Sequence, residues 1–143
     1  MKRNKLVFAG IAAFFAIFIL SSFIAKPQDA KKEKKAWDIP EKYQTMKNPY
    51  ADDASIVKYG KMNYMKHCRA CHGNEGKGDG PKARNLEAFP GDFSSEEFQK
   101  ESDGTIYYQS IIGRDEMPNF ESKIPEEEDR WAVVMYLRSL KAK

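Results

Sequence analysis

The chain has 143 residues, 41% of them hydrophobic, and carries 24 Lys and Arg against 21 Asp and Glu, a length that allows one small domain plus an attachment segment. Seven Pro and nine Gly without a period exclude collagen-like and low-complexity classes, and two Cys exclude a disulfide-rich scaffold. Residues 50–143 hold 14 basic and 17 acidic residues, so the positive charge lies in residues 1–49 and a nucleic-acid-binding domain is disfavoured.

The first predicted element is residues 6–25, a run of twenty residues without a charge. As a helix it spans about 30 Å, the thickness of one hydrocarbon core. Lys2, Arg3 and Lys5 precede it, so the positive-inside rule places the amino terminus in the cytoplasm and the rest of the chain across the membrane. We predict that residues 1–25 are an uncleaved signal anchor. A cleaved signal peptide is the alternative, although no well-spaced pair of small residues favours cleavage.

Residues 26–49 contain seven lysines and three prolines and show no sustained apolar period. This composition predicts a linker. A flexible chain of this length has ends roughly 25–30 Å apart and a stretched limit of about 80 Å. The predicted organisation is therefore an anchor at 1–25, a linker at 26–49 and a folded domain at 50–143.

The next predicted element is a helix that begins near Ser55. Gly60, Tyr64 and Cys68 are spaced by four residues, so they share one face of this helix. The helix runs directly into the most informative motif of the chain.

That motif is C-x-x-C-H, which extends from Cys68 to His72 and contains the only two cysteines of the chain. It is the signature of covalent haem c attachment. Two thiols about one helical turn apart can each add to one haem vinyl group, and the imidazole of the next residue then lies under the iron. We predict that Cys68 and Cys71 attach one haem c and that His72 is the proximal iron ligand.

Three other interpretations of the motif are weaker. A structural disulfide leaves His72 unexplained and closes a very small loop. A thioredoxin-like dithiol follows a strand in a βαβ pattern, which this sequence lacks. A structural zinc site needs four ligands, so His67 would have to turn back onto the same ion.

Further helices are predicted after the motif. Ser94-Ser95-Glu96-Glu97 has the form of a capping box, and residues 103–112 form a helix that ends at Gly113. Pro125 and the acidic run 126–129 favour the start of a last helix. Its apolar stripe consists of Val133, Tyr136, Leu137 and Leu140. With no alternating strand pattern, the predicted fold is all-α, with about four or five short helices after the transmembrane helix.

The second axial ligand is predicted to be a methionine, because His67 lies on the attachment side and no other free histidine exists. Met117 is the candidate: it lies in a loop 45 residues beyond His72, and Pro118 disfavours helical geometry at Met117. Filling an apolar gap is the alternative role for this side chain. The other methionines lie at the amino terminus, in the linker or in predicted helices: Met1, Met46, Met62, Met65 and Met135.

From about Tyr50 to Lys143 the sequence resembles the class I cytochromes c, small monohaem electron carriers of the periplasm. The resemblance implies that Gly60 lies opposite Tyr136, where the last helix crosses the first. It also implies that the carbonyl of Pro81 accepts the proton of the second imidazole nitrogen of His72. The resemblance rests on four groups of residues that occur in the same order as in the family: Gly60, Tyr64, Cys68, Cys71 and His72; the glycine-rich 73–81; Met117-Pro118; and 131–140.

These residues predict a one-electron carrier of a respiratory chain rather than an enzyme, because imidazole and thioether together fill the axial positions of the iron. The expected location is the periplasmic side of a bacterial inner membrane, as a single-pass protein or, after cleavage of the anchor, as a soluble one. The expected partners are redox proteins: a quinol-oxidising complex or dehydrogenase as donor and a terminal oxidase or reductase as acceptor.

Two alternatives remain open. In the first, the chain is a fixed haem c subunit of a larger membrane oxidoreductase, an interpretation that the long linker disfavours. A gas-binding haem sensor is less favoured, because 71 residues follow His72 and Met117 is available as a ligand.

Overall fold

The computed structural model describes residues 36–142, which fold into helices joined by turns and loops. In this range the chain contains no β-strand, so the expected all-α architecture is confirmed. Two 3-10 turns, Ala54–Ile56 and Ala83–Asn85, and a π-helix, Tyr108–Ile112, complete the regular structure described. The α-helices in chain order are α1 (Glu41–Gln44), α2 (Val57–His67), α3 (Arg69–His72), α4 (Glu96–Gln99), α5 (Asp103–Tyr107) and α6 (Glu127–Ser139).

None of the helices between residues 36 and 142 has the length and apolar character needed to cross a bilayer. The predicted transmembrane segment, 6–25, lies outside the described residues. The first part of the predicted linker, 26–35, lies outside them as well.

The two long helices, α2 and α6, pack against each other at Gly60. A Cβ atom on Gly60 would lie 1.8 Å from the carbonyl oxygen of Ala132 and 3.0 Å from the Cβ of Tyr136. Only glycine permits so close an approach of two backbones. The predicted position of Gly60 opposite Tyr136 is confirmed, and the backbone of Ala132 is closer still.

The buried face of α6 is wider than the predicted stripe. Val133, Tyr136 and Leu137 are buried as expected, and Leu140 is half-buried. The helix contacts α2, α5 and the π-helix, so more of its circumference is covered than one stripe. The additional buried residues of α6 are Trp131, Ala132 and Val134.

Residues 36–49 pack onto the domain, which corrects the predicted linker at 26–49. The ring of Tyr43 in α1 stacks on that of Tyr107, with centroids 6.4 Å apart. Asn48 Nδ2 donates a hydrogen bond of 3.0 Å to the carboxylate of Asp103. We call residues 36–49 the N-terminal arm. Its aromatic side chains bury apolar surface against α5 and the π-helix, so this part of the chain is not a spacer.

The short helices agree with the predicted positions, with one shift. Ser95, rather than Ser94, caps α4: its hydroxyl accepts from the backbone N–H of Phe98 at 3.3 Å, whereas the hydroxyl of Ser94 donates to Asp92. The predicted helix 103–112 is α5 continued by the π-helix. It ends, as expected, at Gly113, whose φ of 72° lies in the left-handed region.

Candidate functional site

The C-x-x-C-H motif forms the junction of α2 and α3. The backbone N–H groups of Cys71 and His72 both donate to the carbonyl of Cys68, at 3.1 and 3.0 Å. This turn brings the two thiols to one side of the chain, since residues three apart share a helix face. Both cysteines are free thiols, Cys68 buried and Cys71 half-buried. They are therefore placed as haem attachment requires.

His72 is the most enclosed ionisable side chain of the motif. It is 7% exposed, and its ring stacks on that of Phe93, with centroids 4.6 Å apart and an interplanar angle of 23°. Burial lowers the pKa of His72 to about 4, so the imidazole is neutral near pH 7. The neutral ring is the form that binds a metal ion.

One imidazole nitrogen of His72 has no partner in the part of the chain that the structure describes. The Nδ1 atom is buried and makes no hydrogen bond there. An unpaired buried polar atom costs about 1–3 kcal/mol, so the arrangement fits a side chain whose partner arrives with a bound group. Free thiols, a neutral imidazole and an unpaired nitrogen together fit a covalently attached haem.

The predicted hydrogen bond from His72 to Pro81 is not formed. The carbonyl of Pro81 instead accepts from Arg84 Nε at 3.3 Å. Pro81 nevertheless lies beside the motif, because Gly80 N donates to the Cys71 carbonyl at 3.1 Å and Lys82 N donates to the Ala70 carbonyl at 2.8 Å. Pro81 thus lies beside α3 while Nδ1 of His72 is unpaired, and the hydrogen bond between the two residues stays a prediction.

The glycine-rich segment 73–81 folds back around His72. Gly78 N donates to the carbonyl of His72 at 2.9 Å, and the hydroxyl of Tyr64 donates to the carbonyl of Gly73 at 2.6 Å. Gly73 has a φ of 82°, and a Cβ there would lie 1.8 Å from a carboxylate oxygen of Asp79. This segment therefore shields His72 and is tied to α2 by one buried hydroxyl.

Replacing Tyr64 with Phe is expected to lower the free energy of unfolding by about 1–3 kcal/mol, because the buried Gly73 carbonyl loses its donor. Burial raises the pKa of Tyr64, so its hydroxyl stays protonated and available as this donor at neutral pH. Urea unfolding of the haem-bearing protein measures the loss. Tyr59→Phe is the matched control, since Tyr59 is 43% exposed; equal effects of the two changes would contradict this role of Tyr64.

Met117 lies in a tight turn after the π-helix. Its N–H donates to the carbonyl of Arg114 at 2.7 Å, and Asp115 within the turn has a φ of 47°. A Cβ on Gly113 would lie 2.2 Å from the carbonyl oxygen of Met117, so glycine is needed there. The Met117 side chain is half-buried and packs against the hydrophobic cluster that includes Cys68.

The other methionines described lie in α2, in α6 or in the N-terminal arm. Met62 is 66% exposed on the outer side of α2, and Met65 follows one turn later on the same helix. The sulfur of Met135 lies 3.3 Å from Asn48 Nδ2, and Met46, within the N-terminal arm, packs beside Gly104. Met46, Met65 and Met117 all pack against the hydrophobic cluster that includes Cys68. Met117 differs from the other two because it lies in a tight turn beyond the attachment motif, rather than in α2 or the N-terminal arm.

Two residues near the site were missed from the sequence. Phe93, which covers the ring of His72, follows the glycine-rich segment without any periodic pattern. Glu116, beside the candidate ligand Met117, accepts backbone hydrogen bonds from Glu87 and Ala88. In the sequence, Glu116 is recognisable as the carboxylate next to the candidate ligand Met117. Phe93 is recognisable only as an aromatic residue directly before the predicted capping box that begins at Ser94.

Comparison with known proteins agrees with this geometry. The cytochrome c family model matches residues 57–141, from the first residue of α2 to just beyond α6. The matched range includes the attachment motif and Met117. A search of curated proteins gives no match. The chain therefore belongs to the cytochrome c family and binds haem c covalently, with Cys68 and Cys71 at the spacing that this attachment requires.

Proposed function

We propose that the chain is a one-electron carrier of a respiratory chain in which His72 and Met117 are the axial ligands of the haem iron. Membership of the cytochrome c family implies haem-based electron transfer. The observation that supports the ligand pair is that Met117 packs, from a turn, against the cluster that includes Cys68, while His72 of the attachment motif is buried and neutral. The thioether is a soft ligand that favours ferrous iron and raises the reduction potential.

The residues of the chain hold and shield the cofactor. When bound, haem c supplies one-electron exchange between ferrous and ferric iron. Cys68 and Cys71 fix its position, and the stack on Phe93 orients the imidazole of His72. The four glycines of segment 73–81 are buried, and Gly78 donates to the carbonyl of His72, so the backbone of this segment shields the proximal side. With ligands on both faces, the iron offers no position to a substrate, which favours electron transfer over catalysis.

The surface beside the attachment motif supports a redox-protein partner. Residues 57–72 contain no Asp or Glu, and Tyr59 and Met62 are exposed there. This positive surface with an apolar centre suits an acidic docking site, because complementary charge accelerates encounter. Such a site on a quinol-oxidising complex or dehydrogenase, and on a terminal oxidase or reductase, fits the proposal. Its exposed basic residues are Lys58, Lys61, Lys66 and Arg69.

We further propose that the domain works at the periplasmic surface of a bacterial inner membrane. The packed N-terminal arm leaves residues 26–35 between the predicted membrane segment and the domain. Ten residues reach at most about 35 Å, so the domain would stay near the bilayer. This short reach also favours the alternative of a fixed subunit in a membrane oxidoreductase. Stoichiometric co-purification of partner subunits in mild detergent would support the subunit, and their absence would support the carrier.

Optical spectra of the exported protein in both oxidation states test the proposed ligand pair. We expect a low-spin haem whose ferric form shows the weak near-infrared sulfur-to-iron band, and no binding of carbon monoxide without denaturant. Reduction by membranes should be rapid and should slow as salt increases, since screening weakens the attraction between charged surfaces. A high-spin iron or ready binding of carbon monoxide would instead favour the gas-binding sensor.

A further inference from the structure

The carboxylate of Glu116 links two loops that are distant in sequence. Its two oxygens accept from the backbone N–H of Glu87, at 3.1 and 2.9 Å, and one also accepts from Ala88 N at 3.3 Å. Glu116 is 28 or 29 residues away from these donors. Hydrogen bonds to a charged acceptor are roughly twice as strong as neutral ones, so this is a firm link even at the surface.

The loop that Glu116 reaches is the one that wraps His72. It runs from the glycine-rich segment to Phe93, whose N–H donates to the carbonyl of Gly76 at 2.7 Å and whose ring stacks on His72. Next to the bonded residues, the ring of Phe89 lies 2.7 Å from where a Cβ of Gly78 would be. Residues 87–93 are therefore attached to the proximal side of the site.

The loop that bears Glu116 is the one that carries Met117. Its other restraints include local bonds and bonds to the π-helix and the N-terminal arm: Met117 N donates to Arg114, Phe120 N donates to the carbonyl of Ile111 at 2.8 Å, and the Arg114 guanidinium donates to the carbonyl of Ala36. These bonds set the shape of the turn. The bonds from Glu87 and Ala88 to Glu116 connect it to the side of the molecule that holds His72.

We propose that Glu116 is a positioning residue for the Met117 ligand. Its carboxylate holds the turn at 114–117 against the loop that wraps His72, and this restrains the thioether toward the iron. The inference rests on the proposed ligation by Met117. The competing role for Glu116, a surface charge that meets a partner, predicts no effect of its removal on the isolated protein.

The test uses the full haem-bearing protein with Glu116→Ala and Glu116→Gln. In the ferric state, we expect Glu116→Ala to lose the near-infrared band at a lower temperature than the wild type, while helical circular dichroism persists. The ratio of ligated to unligated protein should fall about tenfold, as expected for loss of a charge-assisted bond. Glu116→Gln keeps one acceptor oxygen and should lie between Glu116→Ala and the wild type.

Amide hydrogen exchange in the reduced protein gives a second readout that does not depend on the band. The amide protons of Glu87 and Ala88 should exchange about tenfold faster in Glu116→Ala, because they lose their acceptor. Glu121→Ala is the control, since it removes the same charge from a carboxylate that accepts from Asn119, two residues away. It should leave both readouts unchanged.

The outcomes separate the two proposals. A wild-type protein without the near-infrared band overturns the ligand pair and the role of Glu116 together. A normal wild-type band that Glu116→Ala leaves unchanged overturns the role of Glu116 alone. Parallel loss of the band and of helical structure in Glu116→Ala also overturns it, because that result describes general destabilisation.

Discussion

Replacing Met117 with Ala is expected to abolish the near-infrared sulfur-to-iron band and to lower the reduction potential while the haem stays covalently attached. The thioether stabilises ferrous iron, so its loss favours the ferric form. Axial ligands span about 0.8 V of haem potentials, and we expect a decrease of a few tenths of a volt. Spectra of both oxidation states and a redox titration measure the two effects. Attachment should survive, because it depends on the thiols of Cys68 and Cys71, which this change leaves in place.

Met62→Ala and Met65→Ala are the matched controls for this experiment. Both remove a thioether from α2 within six residues of Cys68, and Met62 is 66% exposed. Neither variant should change the band or shift the potential as Met117→Ala does. A protein that keeps the band without Met117 but loses it without Met65 would transfer the ligand role to α2.

Local patterns predicted the helical part of the site well. The spacing of Gly60, Tyr64 and Cys68 predicted which face of α2 is buried. Cys68, the last of these residues, is also the first residue of the attachment motif. Helix periodicity also predicted the apolar face of α6, and the resemblance to the class I cytochromes c implied that this helix crosses α2. These signals are local because a helix repeats the same backbone geometry at every residue, so three or four side chains suffice to fix a face.

Contacts between irregular segments left no such pattern. The N-terminal arm falls within the predicted linker 26–49, whose seven lysines and three prolines show no apolar period, whereas Tyr43 and Asn48 attach the arm to α5. Phe93 and Glu116 also make contacts between loops. Phe93 stacks on the ring of His72, and Glu116 accepts from backbone N–H groups, which every residue except proline carries, so the sequence does not show which ones it binds. Prediction of such contacts needs the positions of both partners, which depend on the completed fold.

Gly60→Ala is expected to destabilise the protein by about 3 kcal/mol or more, although helix propensity alone predicts the opposite sign. Alanine within a helix is favoured over glycine by about 1 kcal/mol. At Gly60 the added Cβ would lie 1.8 Å from the carbonyl oxygen of Ala132, which is a backbone atom and cannot rotate away. Helices α2 and α6 must therefore separate. Overpacking typically costs about 1–3 kcal/mol and occasionally more, and we expect the upper end here because the clash is with a backbone atom.

Urea unfolding of the haem-bearing protein, followed by helical circular dichroism, measures this loss. Lys61→Ala is the control, since Lys61 is the exposed neighbour on the same helix and its replacement should change stability by less than about 0.5 kcal/mol. Because α6 supports the core around Cys68, the haem spectrum of Gly60→Ala should change at lower urea than that of the wild type. A Gly60→Ala protein as stable as the wild type would mean that propensity dominates and that the two backbones are not in contact.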